Sequence, residues 1–317
     1  MIYLSKRVLY LTANVLLSYA YHQKTDLADV HRKLRCGQTM IDSGAFTAHT
    51  LGKQISLKEY AEYLQHWQGY WDHAITLDVI GDMQGTARNT RKLHEMGIPV
   101  MPVFTRGGKI ADFDAMVKDV GYVCLGGMVG MRTSAIIKRV GMLQQRAESM
   151  GGGVHALGVG STRMLRAARP YSADASNVSQ APRFGSLYYY NGIDIRSLNI
   201  SDRPAMRRHA DKLLAQNAPL ASYIESGRRP SGNSKLAQFA EVNSYSHIAA
   251  AQHLLERTPV NTPRGMKDSK GLHMYMAMVP GANLDGVLDA AQRIHSSNPP
   301  RIWKQYGKRH KCRRKNL

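Results

Sequence analysis

Three aspartates, Asp42, Asp78 and Asp174, stand where predicted strands end. Asp42 follows the apolar or β-branched residues 39–41, while Asp78 and Asp174 end the strand candidates at residues 74–78 and 171–174. The carboxyl ends of parallel strands gather on one face of an α/β fold, so the three carboxylates are expected to meet there. One carboxylate can attack a glycosidic carbon while a second transfers protons, as in the double displacement of retaining glycosidases. A simpler alternative is that Asp42 only caps the following helix.

Two glycine-rich turns follow other predicted strands. One turn is Gly126-Gly127-Met128, and the other is Gly158-Val-Gly160, which follows Leu157. Glycine allows backbone N–H and C=O groups to approach the edge of a planar base. The second turn lacks the third glycine of a dinucleotide fingerprint, because Arg163 stands in that position, so a nicotinamide cofactor is not expected.

Strand and helix patterns alternate through the first part of the chain. Seven strand candidates lie at residues 15–19, 39–42, 74–78, 98–104, 122–125, 154–157 and 171–174. This alternation favours a parallel sheet with right-handed crossovers. We therefore predict an α/β fold, an eight-stranded (β/α) TIM-type barrel, with an eighth strand beyond Asp174 that the sequence does not locate.

The chain divides into three predicted parts. Residues 1–202 are expected to form the main part of the barrel with the site, and residues 203–300 a helical part that completes or covers it. Residues 301–317 form a basic tail. Within the first part, residues 184–200 alternate like a hairpin around Asn191-Gly192. Ser56 and Glu59 form a capping box that predicts the start of a helix.

The bulk composition indicates a soluble, nucleic-acid-binding protein. The 317 residues carry a net charge of +20, which predicts a polyanionic partner, with nucleic acid favoured well above an anionic membrane surface. No apolar run is long enough to span a bilayer, and no convincing signal peptide is present. Three scattered cysteines, Cys36, Cys124 and Cys312, suggest no disulfide framework and fit a cytoplasmic protein.

Basic residues near the predicted site are candidate phosphate contacts. Arg163, Arg166 and Arg169 recur at helical spacing and predict a basic stripe, although an ordinary solvated helix face would look the same. Arg183 and Arg196 are further candidates for nucleic-acid binding. The tail interleaves Trp303 and Tyr306 with lysine and arginine, which suits phosphate contact and base stacking, or alternatively a disordered solubilising tail.

The order of these motifs resembles that of a known family. Asp42-Ser-Gly-Ala-Phe46 looks like the Asp-Ser-Gly-Gly-Phe/Tyr motif of tRNA-guanine transglycosylases, and more closely that of their phage relatives, the DpdA-type 7-deazaguanine DNA transglycosylases. Gly126-Gly127-Met128 resembles the family's Gly-Gly-Leu turn, and residues 157–160 resemble its Met-Gly-Val-Gly segment. Residues 191–196 resemble the segment after the nucleophile. The resemblance covers roughly residues 39–200.

The resemblance implies a role for each matched residue. Asp174 falls on the nucleophile, and Asp42 on the general acid/base. Phe46 and Leu157 fall on the side chains that sandwich the base, and Asp78 on the carboxylate that reads its edge. The turns at Gly126, Gly127, Met128 and Gly158 contribute backbone contacts to the base.

The departures from the family pattern concern the polymer substrate. Ala45 replaces the second glycine of the first motif, and Val79-Ile80 replaces the Glu-Cys that follows the tRNA enzymes' equivalent of Asp78. The zinc motif of the tRNA enzymes is missing, and the remaining candidates stand at no recognisable ligand spacing: His247, His253, His273, His310 and Cys312. We therefore expect no metal and no other cofactor.

The expected activity is exchange of guanine in DNA for a 7-deazaguanine base, in the host cytoplasm if the chain is phage-encoded. A tRNA-guanine transglycosylase, a glycosylase that uses water, and a non-catalytic nucleic-acid-binding module remain alternatives. The sequence does not indicate which 7-deazaguanine is used, the target sequence or the oligomeric state.

Overall fold

The computed structural model describes residues 14–34, 37–176, 185–209, 233–266 and 271–278. Its strands are β1 (Asn14–Ser18), β2 (Thr39–Asp42), β3 (His73–Ile75), β4 (Val100–Met101), β5 (Val103–Phe104), β6 (Tyr122–Leu125), β7 (Gly153–Ala156), β8 (Ser172–Ala175), β9 (Ser186–Tyr190), β10 (Ile195–Asn199) and β11 (His273–Met278). Its helices are α1 (Tyr19–His22), α2 (Leu27–Leu34), α3 (Ala45–Thr50), α4 (Leu57–His66), α5 (Met83–Glu95), α6 (Ile110–Val120), α7 (Thr133–Ser149), α8 (Thr162–Ala168), α9 (Arg203–Arg208) and α10 (Asn233–Arg257).

Nine short strands form one parallel sheet in the order β4-β3-β2-β1-β11-β8-β7-β6-β5. The two end strands, β4 and β5, belong to one extended run that Pro102 interrupts, because proline has no N–H for a sheet ladder. The Pro102 carbonyl still accepts a hydrogen bond from Cys124 N at 2.9 Å, and Met101 O accepts one from Thr76 N at 2.9 Å. The run from Val100 to Phe104 therefore joins both ends of the sheet. The predicted (β/α)8 TIM-type barrel is confirmed.

The eighth barrel strand is β11, which lies between β1 and β8. Tyr275 is in register with Asp174, and Ala277 is in register with Leu16. This strand lies beyond Asp174, as expected for the eighth strand, within residues 203–300, which were predicted as a helical part that completes or covers the barrel. The part contributes α9 and α10 together with the strand that completes the barrel.

The predicted hairpin is confirmed as β9 and β10, which pair antiparallel. Asn191 shapes the connection, because its side-chain oxygen accepts hydrogen bonds from Ile193 N at 2.9 Å and Asp194 N at 2.7 Å. α10 holds the hairpin in place: Tyr188 N donates to Asn243 Oδ1 at 2.6 Å, and Ser246 Oγ donates to Tyr188 O at 3.0 Å.

Side chains alternate between the helical layer and the barrel interior. Val15, Leu17 and Ile41 pack outward with Tyr60 and Leu64 of α4 in one buried cluster. Because strand side chains have a period of two, the residues between them face inward. The predicted capping box is also present, since Ser56 accepts a hydrogen bond from Glu59 N at the start of α4.

Candidate active site

Asp42 ends β2 and is held by the turn that follows it. Its Oδ2 accepts a hydrogen bond from Gly44 N at 3.0 Å. Gly44 is the N-cap residue of α3, so Asp42 is not the cap of that helix. Gly44 has a φ of 76°, and a Cβ there would lie 2.5 Å from both Ala20 Cβ and Ser18 Oγ. Only glycine fits this approach of the turn to the end of β1.

The environment of Asp42 favours its protonated form. Burial and the negative charges of Asp78 and Asp174 raise the pKa of Asp42 to about 7. The hydrogen bond from Gly44 and the nearby Ser18 hydroxyl oppose this rise without cancelling it. A carboxyl group with a pKa near neutrality can both give and take a proton at physiological pH.

Asp78 lies beyond the end of β3 rather than at its last residue. The strand ends at Ile75, three positions earlier than predicted, and the following turn is fixed by side chains of α5. Val79 N donates to Thr86 Oγ1 at 2.8 Å, and Asn89 Nδ2 donates to Leu77 O at 2.9 Å. Burial raises the pKa of Asp78, while hydrogen bonds from its own N–H and from the Ser43 hydroxyl oppose that effect.

Asp174 lies in β8, is only 6% exposed, and is held through one oxygen. Its Oδ1 accepts from Gly158 N at 2.7 Å and lies 3.3 Å from His155 Nε2. Gly158 has a φ of 70°, a left-handed conformation that favours glycine at this position. The glycine turn after β7 therefore binds Asp174 directly.

Asp42 interacts electrostatically with the other two carboxylates. Asp78 and Asp174 both raise the pKa of Asp42. Cys124, a buried residue of β6, provides a second indication: burial raises the pKa of its thiol, and the charges of Asp42, Asp174 and Asp78 raise it further. The sequence-predicted trio is therefore grouped around one end of the barrel interior.

His155 is a site residue that the sequence reasoning missed. It is fully buried in β7, and its Nδ1 lies 2.5 Å from Ser172 Oγ. The Ser172 hydroxyl is also hydrogen-bonded to the Tyr122 hydroxyl. The sequence did contain a signal for this residue, because side chains along a strand alternate between its two faces. His155 therefore shares a face with Leu157, and Ser172 shares a face with Asp174.

The candidate base-binding residues differ in accessibility. Phe46 is 55% exposed on α3, and Leu157 is partly buried against the core. Gly126 and Gly127 form the turn after β6, where a Cβ on Gly126 would lie 3.2 Å from Val103 Cγ1. Met128 is 6% exposed within the core cluster, so its side chain is not open to a ligand.

A cleft of about 310 Å³ lies beside Asp174. It is lined mainly by small and hydroxyl-bearing residues: Gly158, Gly160, Ser161, Thr162, Ser176, Tyr188, Ile195 and Ser197. Gly158 belongs both to this lining and to the hydrogen bond with Asp174. The hairpin therefore forms one wall of a polar space next to the carboxylate.

The arginines of α8 do not form a uniform open stripe. Arg166 is paired with Asp194 at 2.5 Å, and Arg196 lies 3.6 Å from the same carboxylate. The pair between Arg166 and Asp194 attaches the hairpin to α8, whereas Arg196 and Asp194 both belong to the hairpin. Arg163 and Arg169 are exposed, and Arg169 ends the helix with a left-handed φ of 51°. Arg183 lies outside the described residues.

The His, Cys, Asp and Glu side chains in the described part of the chain do not cluster as metal ligands. No group of three His, Cys, Asp or Glu side chains there could hold a metal ion. His247 is buried, its Nδ1 donates to Asn243 O at 2.8 Å, and burial lowers its pKa to about 4. His253 is hydrogen-bonded to the Tyr190 hydroxyl at 2.6 Å. His310, Cys312 and Cys36 lie outside the described residues.

Among the residues described, no helix has the length and apolar character needed to cross a membrane. Neither the models of known protein families nor the curated proteins give a match to this chain. The grouped carboxylates and the hydrogen-bond network around Asp174 are therefore the features from which a function is inferred.

Proposed function

We propose that this protein is a base-exchange transglycosylase that replaces guanine in DNA with a 7-deazaguanine base. The proposal depends on one observation, the grouping of two differently held carboxyl groups. Asp42 has a pKa near neutrality, which suits proton transfer. Asp174 has one oxygen fixed by an N–H donor and the other available to react.

The first displacement breaks the bond between the sugar and guanine. A lone pair on Asp174 Oδ2 forms a bond to C1′, and the electron pair of the C1′–N9 bond leaves with guanine. Asp42 gives its proton to the departing guanine and becomes a carboxylate. The product is a covalent ester between Asp174 and the deoxyribose.

The second displacement joins the new base. Asp42, now a carboxylate, removes the proton from N9 of the entering 7-deazaguanine. N9 attacks C1′, the C1′–Oδ2 bond breaks, and its electron pair returns to Asp174. Two inversions restore the original configuration at C1′, as an intact strand requires. The cycle uses no redox or nucleotide cofactor.

The charge of the chain and the motif resemblance support a nucleic-acid substrate. A net charge of +20 favours binding to phosphates through counterion release. A guanine inside a duplex has to be turned out of the stack before C1′ and N9 can enter a barrel mouth. The exposed Phe46 ring suits stacking on such a base, and the half-buried Asp78 suits hydrogen bonding to its edge.

The test is incorporation of radiolabelled guanine into plasmid DNA and into tRNA, with covalent adducts resolved on denaturing gels. Wild type is expected to label DNA and to form an adduct, whereas Asp174→Ala does neither and retains its DNA affinity. Asp119→Ala, which alters an exposed aspartate of α6, is the matched control and is expected to behave as wild type. An active Asp174→Ala enzyme would contradict the mechanism. Release of free guanine without label uptake would identify a water-using glycosylase.

A further inference from the structure

On the basis of the proposed function, we infer that His155 is a positioning residue that selects the reacting oxygen of Asp174. It also stabilises that carboxylate when the C1′–Oδ2 bond of the covalent intermediate breaks. The inference concerns a fully buried side chain to which neither the sequence motifs nor the proposed mechanism assigns a role.

Two donors converge on the same oxygen of Asp174. Gly158 N lies 2.7 Å from Oδ1, and His155 Nε2 lies 3.3 Å from it. Within the described residues, no hydrogen bond reaches Oδ2. The carboxylate is therefore oriented with Oδ1 toward the protein and Oδ2 available to the sugar carbon.

The Asp174 carboxylate fixes the tautomer of His155, because the carboxylate accepts hydrogen bonds and His155 Nε2 faces it. The other ring nitrogen, Nδ1, lies 2.5 Å from the Ser172 hydroxyl, which is also hydrogen-bonded to the Tyr122 hydroxyl. With the ring proton on Nε2, Nδ1 is the acceptor for the Ser172 hydroxyl, and Ser172 Oγ can accept from Tyr122. In this arrangement the hydrogen bonds run in one direction, from the Tyr122 hydroxyl through Ser172 and His155 to the Asp174 carboxylate.

The barrel also fixes the position of the ring. His155 is in register with Ser172 on the adjacent strand, and the ring packs edge-on against Tyr275 with centroids 5.8 Å apart. Neighbouring strands on both sides leave the side chain no exposed surface. His155 therefore supports Asp174 from behind and does not contact the base.

The hydrogen bond from His155 Nε2 to Asp174 Oδ1 has a different effect in each of the two displacements. In the first, Oδ2 bonds to C1′ and negative charge leaves the carboxylate, so the hydrogen bond to Oδ1 weakens. In the second, the C1′–Oδ2 bond breaks and the charge returns to both oxygens, where the N–H of His155 stabilises the share on Oδ1. Removal of the His155 ring is thus expected to slow breakdown of the covalent intermediate more than its formation.

The experiment measures both steps separately, in single-turnover reactions with guanine-containing DNA followed by a chase with excess labelled guanine. His155→Phe is expected to form adduct at close to the wild-type rate and to release it on the order of 10²-fold more slowly. The adduct then accumulates on denaturing gels. His155→Gln places an amide N–H near the same position and should restore much of the release rate.

Ser172→Ala provides a second route to the same question if His155→Phe does not fold. It removes the hydroxyl that orients Nδ1 while leaving the ring in place, so it should also slow release more than formation. An equal reduction of both steps, or wild-type release in both variants, would overturn the role of His155 and leave the proposed function intact. A wild-type protein that forms neither adduct nor exchange product would overturn the proposed function itself.

Discussion

Asp174 acts on Asp42 across the mouth of the barrel: burial, the charge of Asp78 and then the charge of Asp174 raise the pKa of Asp42. The two residues lie on β8 and β2, which are separated in the sheet by β11 and β1. Their electrostatic interaction indicates that both carboxyl groups face the same end of the barrel interior. This proximity is the basis for assigning them to two halves of one reaction.

Substitution of Asp42 by asparagine should slow turnover by about 10²–10⁴-fold, the usual effect of removing a general acid/base. The nucleophile remains, so some covalent intermediate should still form. Wild-type adduct formation should decrease as pH rises through about 7, because the proposed mechanism requires Asp42, whose pKa is about 7, to be protonated in this step. Rates measured from pH 5 to 9 should show no such decrease in the variant. Wild-type turnover by Asp42→Asn at every pH would contradict the assigned role.

The same substitution should change the pH dependence of stability. The ordinary pKa of an aspartate is 3.8, and in the folded protein that of Asp42 is about 7. Between these values the unfolded chain loses a proton that the folded chain keeps, so the folded state becomes less stable as pH rises. Asp42→Asn should therefore gain roughly 2–4 kcal/mol over wild type between pH 4 and pH 8.

Urea unfolding at pH 4 and pH 8 provides the measurement. The exposed Asp119→Asn serves as the control and should show a nearly constant difference from wild type. An Asp42→Asn variant whose stability difference from wild type was also constant across this range would show that Asp42 does not titrate differently on folding.

Alanine at Gly44 should destabilise the fold by about 2–4 kcal/mol, because a positive φ and a crowded Cβ act together. The new Cβ would lie 2.5 Å from Ser18 Oγ and Ala20 Cβ. Gly52→Ala is the matched control: its φ is 64°, but no atom lies within 4 Å of the new Cβ. It should cost about 1 kcal/mol. Equal destabilisation of the two variants in urea unfolding would refute the packing argument.

The choice of polymer can be tested through salt dependence. DNA binding should weaken steeply between 50 and 200 mM salt, because each neutralised phosphate releases counterions. Truncation before Arg301 removes the basic tail, which lies outside the described residues, and should flatten the slope by about 0.9 for each phosphate that the shortened chain no longer neutralises. Exchange in a short guanine-containing oligonucleotide should change little. Faster exchange into tRNA than into DNA at matched salt would replace the DNA assignment with the tRNA alternative.

The sequence was sufficient for seven of the barrel strands, and five of the seven predicted strands end at an aspartate or directly before a glycine. The run from residue 98 to 104 was predicted as one strand, whereas Pro102 divides it into two short pieces. The eighth strand was missed because His273–Met278 contains four methionine or alanine residues and no β-branched side chain. Its pairing with β1 and β8 overrides this weak local preference.

The sequence located the carboxylates at predicted strand ends, but not the groups that surround them. Strand-end position is visible in a sequence, so Asp42 and Asp174 could be found. The interaction of His155 with Asp174 depends on the register of β7 with β8, which no local pattern specifies. The pairing of Arg166 with Asp194 was missed for a related reason, because it depends on how the hairpin packs against α8.

The late position of β11 has a consequence for biosynthesis. Until residues 273–278 leave the ribosome, β1 and β8 are unpaired edges of an open parallel sheet. Asp42 and Asp174 then lie on opposite sides of the gap, and the nascent chain has all three carboxylates but no closed site. The proposed activity therefore begins only when the last barrel strand inserts, and a stalled or cleaved chain lacking that strand is expected to aggregate through its exposed edges.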